Sequence, residues 1–239
     1  MNTDLFKSVS ENAVFVLVFL GIIFAVFLIA YIFERMAKKR SGSTERILNT
    51  KTVVVIGMFS AISTVLYIFD FPVSFAPPFY KMDFSDLPAM ICGFAYGPIA
   101  GIMVEFVKVL LKILIKGTST AFVGDMANFI VASAFILPSA IIYSYKKTKK
   151  IAIVSCIVGT ISITAVGSVF NAVYLIPAFC KLYGMEPEAI VGMGTAVNKY
   201  ITDMDSLVMF AVAPLNLVKG LVNSIITILV YKRLHRVMK

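Results

Sequence analysis

Lys219 is the one charge inside an apolar run from Leu207 to Tyr231, which is bounded by Asp205 and Lys232. A charged side chain at mid-bilayer costs roughly 2.5–3.5 kcal/mol on insertion scales, so such a lysine faces protein, water or a ligand and is held by partners. Helical residues advance by about 100°, which places Asn216, Lys219, Asn223 and Thr227 within an arc of about 80°. Amides present donor and acceptor together and lysine adds a cationic donor, equipment suited to a ring with alternating carbonyl and N–H groups. The same stripe could instead join two helices, or the lysine could snorkel, although its position midway along the run disfavours the latter. Pro214, just ahead, removes a backbone hydrogen bond and opens or kinks the helix where the stripe begins.

Other polar groups recur at helical spacing. Thr160, Thr164, Gly167, Ser168 and Asn171 form a second polar face to set against the first, and Asn128 lies inside another apolar run. Glu105, Lys108 and Lys112 share a face, where an ion pair between Glu105 and Lys108 is the simplest way to tolerate both. Residues 70–85 carry three prolines and five aromatics, Phe79 and Tyr80 among them. That composition fits a lid over a flat apolar ligand or an interfacial aromatic belt.

Enzyme chemistry finds little footing. No Gly-x-x-x-x-Gly-Lys-Ser/Thr phosphate loop occurs, so the chain has no visible means of hydrolysing ATP. Asp203-Met-Asp205 lacks a second acidic cluster, and His235 belongs to a basic tail. Cys92, Cys156 and Cys180 match no metal-ligand or disulfide spacing and read as apolar fillers. The equipment is that of a binder without metal or cofactor: amides, a lysine and aromatics would fit the pyrimidine-like edge of a flavin, or another polar aromatic vitamin.

The elements that must position these groups are membrane helices. With 59% hydrophobic and 15% charged residues and a mean hydropathy of +0.92, the chain reads as an all-α polytopic membrane protein. Spans are expected at about 13–33, 52–69, 86–96, 98–115, 125–143, 151–179 and 207–231, with loops at 70–85 and 181–205 and Asp83 or Ser85 capping the third span. The first run is too long for a signal h-region and is expected to be a retained span. Residues 34–51, 144–150 and 232–239 hold six, four and four Lys/Arg, every arginine included. The positive-inside rule then puts the N-terminus outside and the C-terminus in the cytoplasm of a multi-pass cell-membrane protein, and reads the net charge of +9 as orientation, not nucleic-acid binding. On the second span, Gly57-x-x-x-Ala61 and Ser60-x-x-x-Thr64 make ridges for close helix contact, internal or with a partner.

Asp83-Phe-Ser-Asp-Leu-Pro88, Tyr96-Gly-Pro-Ile-Ala-Gly101, Gly117-Thr-Ser-Thr120, Asp125-Met-Ala-Asn-Phe129, Asn171-Ala-Val-Tyr-Leu-Ile-Pro177 and Ala213-Pro-Leu-Asn-Leu-Val-Lys-Gly220 occur in that order. In these motifs the chain resembles the riboflavin-binding S components of energy-coupling factor (ECF) vitamin transporters over about residues 50–235. The resemblance implies a six-helix core, 51–239, behind an extra transmembrane helix and basic linker, 1–50. It implies that riboflavin sits near the outer surface beneath the loop joining the first two core helices. Asn171, Asn216 and Lys219 would hold the isoalloxazine edge, with Asn128, Phe79, Tyr80 and Thr120 completing the site. Gly57 and Ala61 would contact a transmembrane coupling subunit driven by two ATPases. Asp125 stands where the family pattern leads one to expect glutamate. The rival readings are an S component for another vitamin, and a membrane enzyme or assembly factor in which Lys219 is a structural ion-pair partner.

Overall fold

Proline lacks an N–H and its ring crowds the carbonyl four residues back, so a helix that contains one must widen or bend upstream. Pro177 and Pro214 each follow a π-helical turn, Asn171–Leu175 and Val208–Val212. The ladder steps to i→i−5 there: Ile176 N–H donates to Asn171 O, and Ala213 N–H to Val208 O. The kink expected at Pro214 therefore takes the form of a π-turn, and Pro177 has a matching one.

The computed structural model describes residues 13–44, 46–118, 120 and 122–237; Lys239 of the last basic segment lies outside them. The helices are α1 (Ala13–Ser41), α2 (Thr50–Ile68), α3 (Asp86–Tyr96), α4 (Pro98–Lys116) and α5 (Val123–Tyr145), then α6 (Lys149–Phe170), α7 (Ile176–Tyr183), α8 (Pro187–Val197), α9 (Met204–Leu207) and α10 (Ala213–Val237). A two-residue antiparallel ladder, β1 (Phe71–Pro72) with β2 (Lys81–Met82), closes the aromatic loop. The protein is an all-α membrane protein. Its core is α2, α3, α4, α5, the continuous rod Lys149–Tyr183, and α10 with its lead-in from Met204. Among the described residues, five segments are long and apolar enough to cross a membrane. The expected third and fourth spans exist as helices outside that set, because α3 has 11 residues and α4 carries Glu105, Lys108, Lys112 and Lys116.

The extra helix docks on α4 and α5. Phe27 packs edge-on against Phe106 at 5.8 Å and Phe19 against Phe129 at 6.3 Å. Glu34 Oε2 accepts the Ile99 N–H at 3.0 Å, satisfying the first turn of α4 where the helix dipole favours an anion. Gly97 makes room: its φ is +108°, and a Cβ there would stand 2.7 Å from the Glu34 carboxyl carbon.

The two ridges of α2 diverge. Ser60 and Thr64 are buried, whereas Gly57 and Ala61 are exposed. The stretch 181–205, expected as loop, is instead largely helical. Pro187 opens α8 with its ring-fixed φ, and a capping box of Asp203 and Ser206 opens α9. The Ser206 N–H, 2.8 Å from Asp203 Oδ1, holds that carboxyl below the usual range, so Asp203 serves as a helix cap.

Candidate functional site

Lys219 is buried and ion-paired. Its Nζ lies 3.3 Å from Asp83 Oδ2 and 3.0 Å from Asp86 Oδ2. Asp86 reaches Lys108 through its other oxygen at 3.2 Å, and Lys108 pairs in turn with Glu105. Ser85 ties the group together: its hydroxyl donates to Asp83 Oδ1 at 2.5 Å and accepts from Lys108 Nζ at 3.0 Å. Three carboxyl groups thus meet two ammonium groups at the start of α3. Low-dielectric surroundings make each pair strong and each orphaned member expensive, which pins the aromatic loop to α4 and α10. The expected cap of α3 is absent. Ser85 occupies the N-cap position without a side-chain cap bond, because its hydroxyl and Asp83 are committed to this cluster.

The amides form a second group beside it. Asn171 Nδ2 donates to Gly167 O at 2.7 Å, and Asn216 Nδ2 to Val212 O at 3.1 Å. α6 and α10 pack face to face here, as Thr160 Oγ1 and Ser224 Oγ at 3.0 Å also attest. Gly167 permits the approach, since a Cβ there would lie 2.6 Å from Asn216 Nδ2. Tyr80 reaches in from the aromatic loop and donates to Asn171 Oδ1 at 3.0 Å.

Above these groups is a cavity of about 420 Å³. Tyr67, Phe79, Tyr80 and Phe179 give it aromatic walls, and Phe79 stands edge-on to Phe179 at 6.2 Å. Asp83, Thr120 and Asn128 supply polar lining, and among the described residues Asn128 Oδ1 has no hydrogen-bond partner. Lys112 and Asp125 pair at 2.5 Å on another wall, which gives Asp125 a position that its motif left undefined. Of the residues expected to form the site, Phe79, Tyr80, Thr120 and Asn128 line the cavity. Asn171, Asn216 and Lys219 do not; Tyr80 and Asp83, which do, contact Asn171 and Lys219. The sequence reading missed Asp83 and Asp86 as partners of Lys219, and Tyr67 as a wall.

The molecule is thus an all-α membrane bundle with an aromatic loop folded over a buried amide and lysine cluster. A family model described as "ECF transporter, substrate-specific component" matches residues 51–231, and the chain belongs to that family. It is 37% identical over 189 residues to the riboflavin transporter RibU of Staphylococcus aureus, spanning 79% of this chain and 93% of that one. It is 34% identical over 188 residues to the riboflavin transporter FmnP of Bacillus subtilis, 78% and 93% respectively. A solved structure titled "Structure and mechanism of the S component of a bacterial ECF transporter" superposes with a TM-score of 0.61 at 37% identity, covering 79% of this chain and 98% of that one. These relatives are transporters by name, not enzymes.

Proposed function

We propose that the chain is the riboflavin-binding subunit of an ECF-type uptake system. The observation that carries this is the juxtaposition of an aromatic-walled cavity with Asn171, Asn216 and Lys219, joined through Tyr80 and Asp83 of one loop. Relatives named as riboflavin transporters support the choice of ligand over another vitamin. Aromatic rings would hold the flavin plane, and Asn128 Oδ1 offers an acceptor ready at the wall. Entry to the amides requires Tyr80 and Asp83 to give up their contacts to Asn171 and Lys219. The ligand then replaces hydrogen bonds that the unliganded protein makes to itself, so little buried polar surface is left unpaired in either state.

The loop end faces outward and the basic ends of α1, α5 and α10 face the cytoplasm in this reading. Residues 51–239 form the binding domain, and 1–50 add a helix and linker. With no phosphate loop, accumulation needs a coupling subunit and two ATPases, contacted through Gly57 and Ala61. Titration of the purified protein with riboflavin, followed by quenching of flavin fluorescence, tests the assignment. Saturable one-to-one quenching is expected. Its absence in folded protein would favour the reading that the ion pairs of Lys219 specifically support, in which the lysine only holds the fold.

A further inference from the structure

At the end of the bundle opposite the aromatic loop, the extra segment builds something that residues 51–231 alone could not. A hollow of about 370 Å³ lies between α1, the linker and the α3–α4 turn, with Lys38, Arg46, Lys51 and Lys147 on its walls. A second hollow of about 800 Å³ adjoins it, sharing Lys38, Ser43, Arg46 and Ile47 and adding Arg35 and Lys39. Among the described residues, the one carboxylate lining either is Glu34; it accepts the Ile99 N–H of α4 and lies 3.9 Å from Lys38 Nζ, so it offsets one of the surrounding cations. The positive-inside rule accounts for basic residues at this end of a bundle, but it does not call for a cavity walled by them.

The second hollow is also amphipathic. Tyr31, Ile32 and Met36 line it and are 43%, 45% and 53% exposed, one turn along α1 from Arg35 and Lys39. α1 is among the helices long and apolar enough to span a membrane, and in a bilayer these side chains would border acyl chains while the basic groups would border headgroups. A soluble phosphate compound would make no use of the apolar half.

We propose that the paired hollows bind an anionic phospholipid, its phosphate between Lys38 and Arg46 and its acyl chains along Tyr31, Ile32 and Met36. Basic pockets at the headgroup level of helix bundles suit such lipids by charge and by depth. The wall residues of α1, with Arg46, precede the family match, which begins at residue 51, and the superposed S component is covered to 98% by only 79% of this chain. The second hollow thus belongs to the extra segment, the first is shared with Lys51 and Lys147 of the matched region, and neither depends on the flavin reading.

The test uses the full chain, delipidated in a non-ionic detergent, with phosphatidylglycerol or phosphatidylcholine added. Bound lipid is counted by native mass spectrometry, and thermal unfolding is followed in parallel. The wild type should retain phosphatidylglycerol over phosphatidylcholine. Arg46→Gln with Lys51→Gln should retain it about 30-fold less, as expected for removing two cations near an anionic headgroup. Both side chains are exposed, and Arg46 meets Lys38 through its backbone oxygen, so the fold should survive; an unchanged flavin titration verifies that. If the double variant is recovered poorly, Arg46→Lys with Lys51→Arg, which keeps both charges, should hold the preference. Equal retention of the two lipids by the wild type, or undiminished phosphatidylglycerol on the charge-removed variant, would overturn the proposal. So would a stabilisation by inorganic phosphate equal to that by the lipid, which would assign the hollow to soluble phosphates.

Discussion

Tyr80 donates its phenol hydroxyl to Asn171 Oδ1 at 3.0 Å, joining the aromatic loop to the π-turn between α6 and α7. Burial pushes the Tyr80 phenol well above its ordinary value, so it remains a donor through neutral and mildly alkaline pH. A group favoured in its neutral form by the fold stabilises at pH below its unfolded value of about 10 and loses that contribution as pH rises further. The loop contact should therefore be constant from about pH 6 to 9.

Tyr80→Phe removes the hydroxyl that satisfies Asn171 while keeping the ring on the cavity wall. If riboflavin takes over that amide, the variant no longer has an internal bond to break, one worth about 0.5–1.5 kcal/mol. Kd should fall about two- to tenfold, and association measured by stopped-flow fluorescence should accelerate. A weakened Kd would mean that the hydroxyl contacts the ligand itself.

Lys219→Met tests two roles at once. It leaves Asp83 without its ammonium partner and Asp86 with Lys108 alone, and breaking a buried pair costs about 3–5 kcal/mol, so thermal stability should drop. Adding Asp83→Asn removes the orphaned charge and should recover part of that stability. Riboflavin Kd should stay about 10- to 100-fold weaker in both, the magnitude of a lost charge-assisted hydrogen bond. Affinity that returned together with stability would show that the lysine acts only through the fold.

Gly167→Ala alters the site without deleting a polar group. The new methyl would meet Asn216 Nδ2 at 2.6 Å, and either the amide or the α6–α10 contact must shift. Displacing one hydrogen-bonding group should raise the riboflavin Kd about tenfold. Gly192→Ala on α8, where a Cβ meets open space, serves as the control and should bind normally.

Period alone made the Lys219 stripe and the Glu105–Lys108 pair legible, because both are local to one helix and three or four residues apart. Asp83 is 136 residues from Lys219, and no spacing rule connects them; only the fold of the loop into the bundle does. The same reason hid Tyr80 from Asn171. Helix α8 escaped notice because its 11 residues begin at Pro187 and contain Gly192 and Gly194, residues that read as loop signals. The π-turns were half legible: Pro177 and Pro214 announce a disturbed ladder without saying which form it takes. The docking of α1 depends on Glu34 finding the α4 terminus, a contact between residues 65 apart.

Gly57→Leu separates capture from transport. Gly57 and Ala61 are exposed on α2, a Cβ on Gly57 would meet nothing within 4 Å, and α1 packs against α4 and α5. The added side chain therefore has space within this chain and no path to the cavity, so riboflavin binding in detergent should be near normal. Small-residue ridges let helix backbones approach closely, and a leucine there holds a partner helix away. Uptake of labelled riboflavin by cells that express the coupling subunit and ATPases should consequently fall to a small fraction of wild type. Full uptake would move the coupling contact to another face. Accumulation by the wild-type chain alone in liposomes would remove the need for a partner.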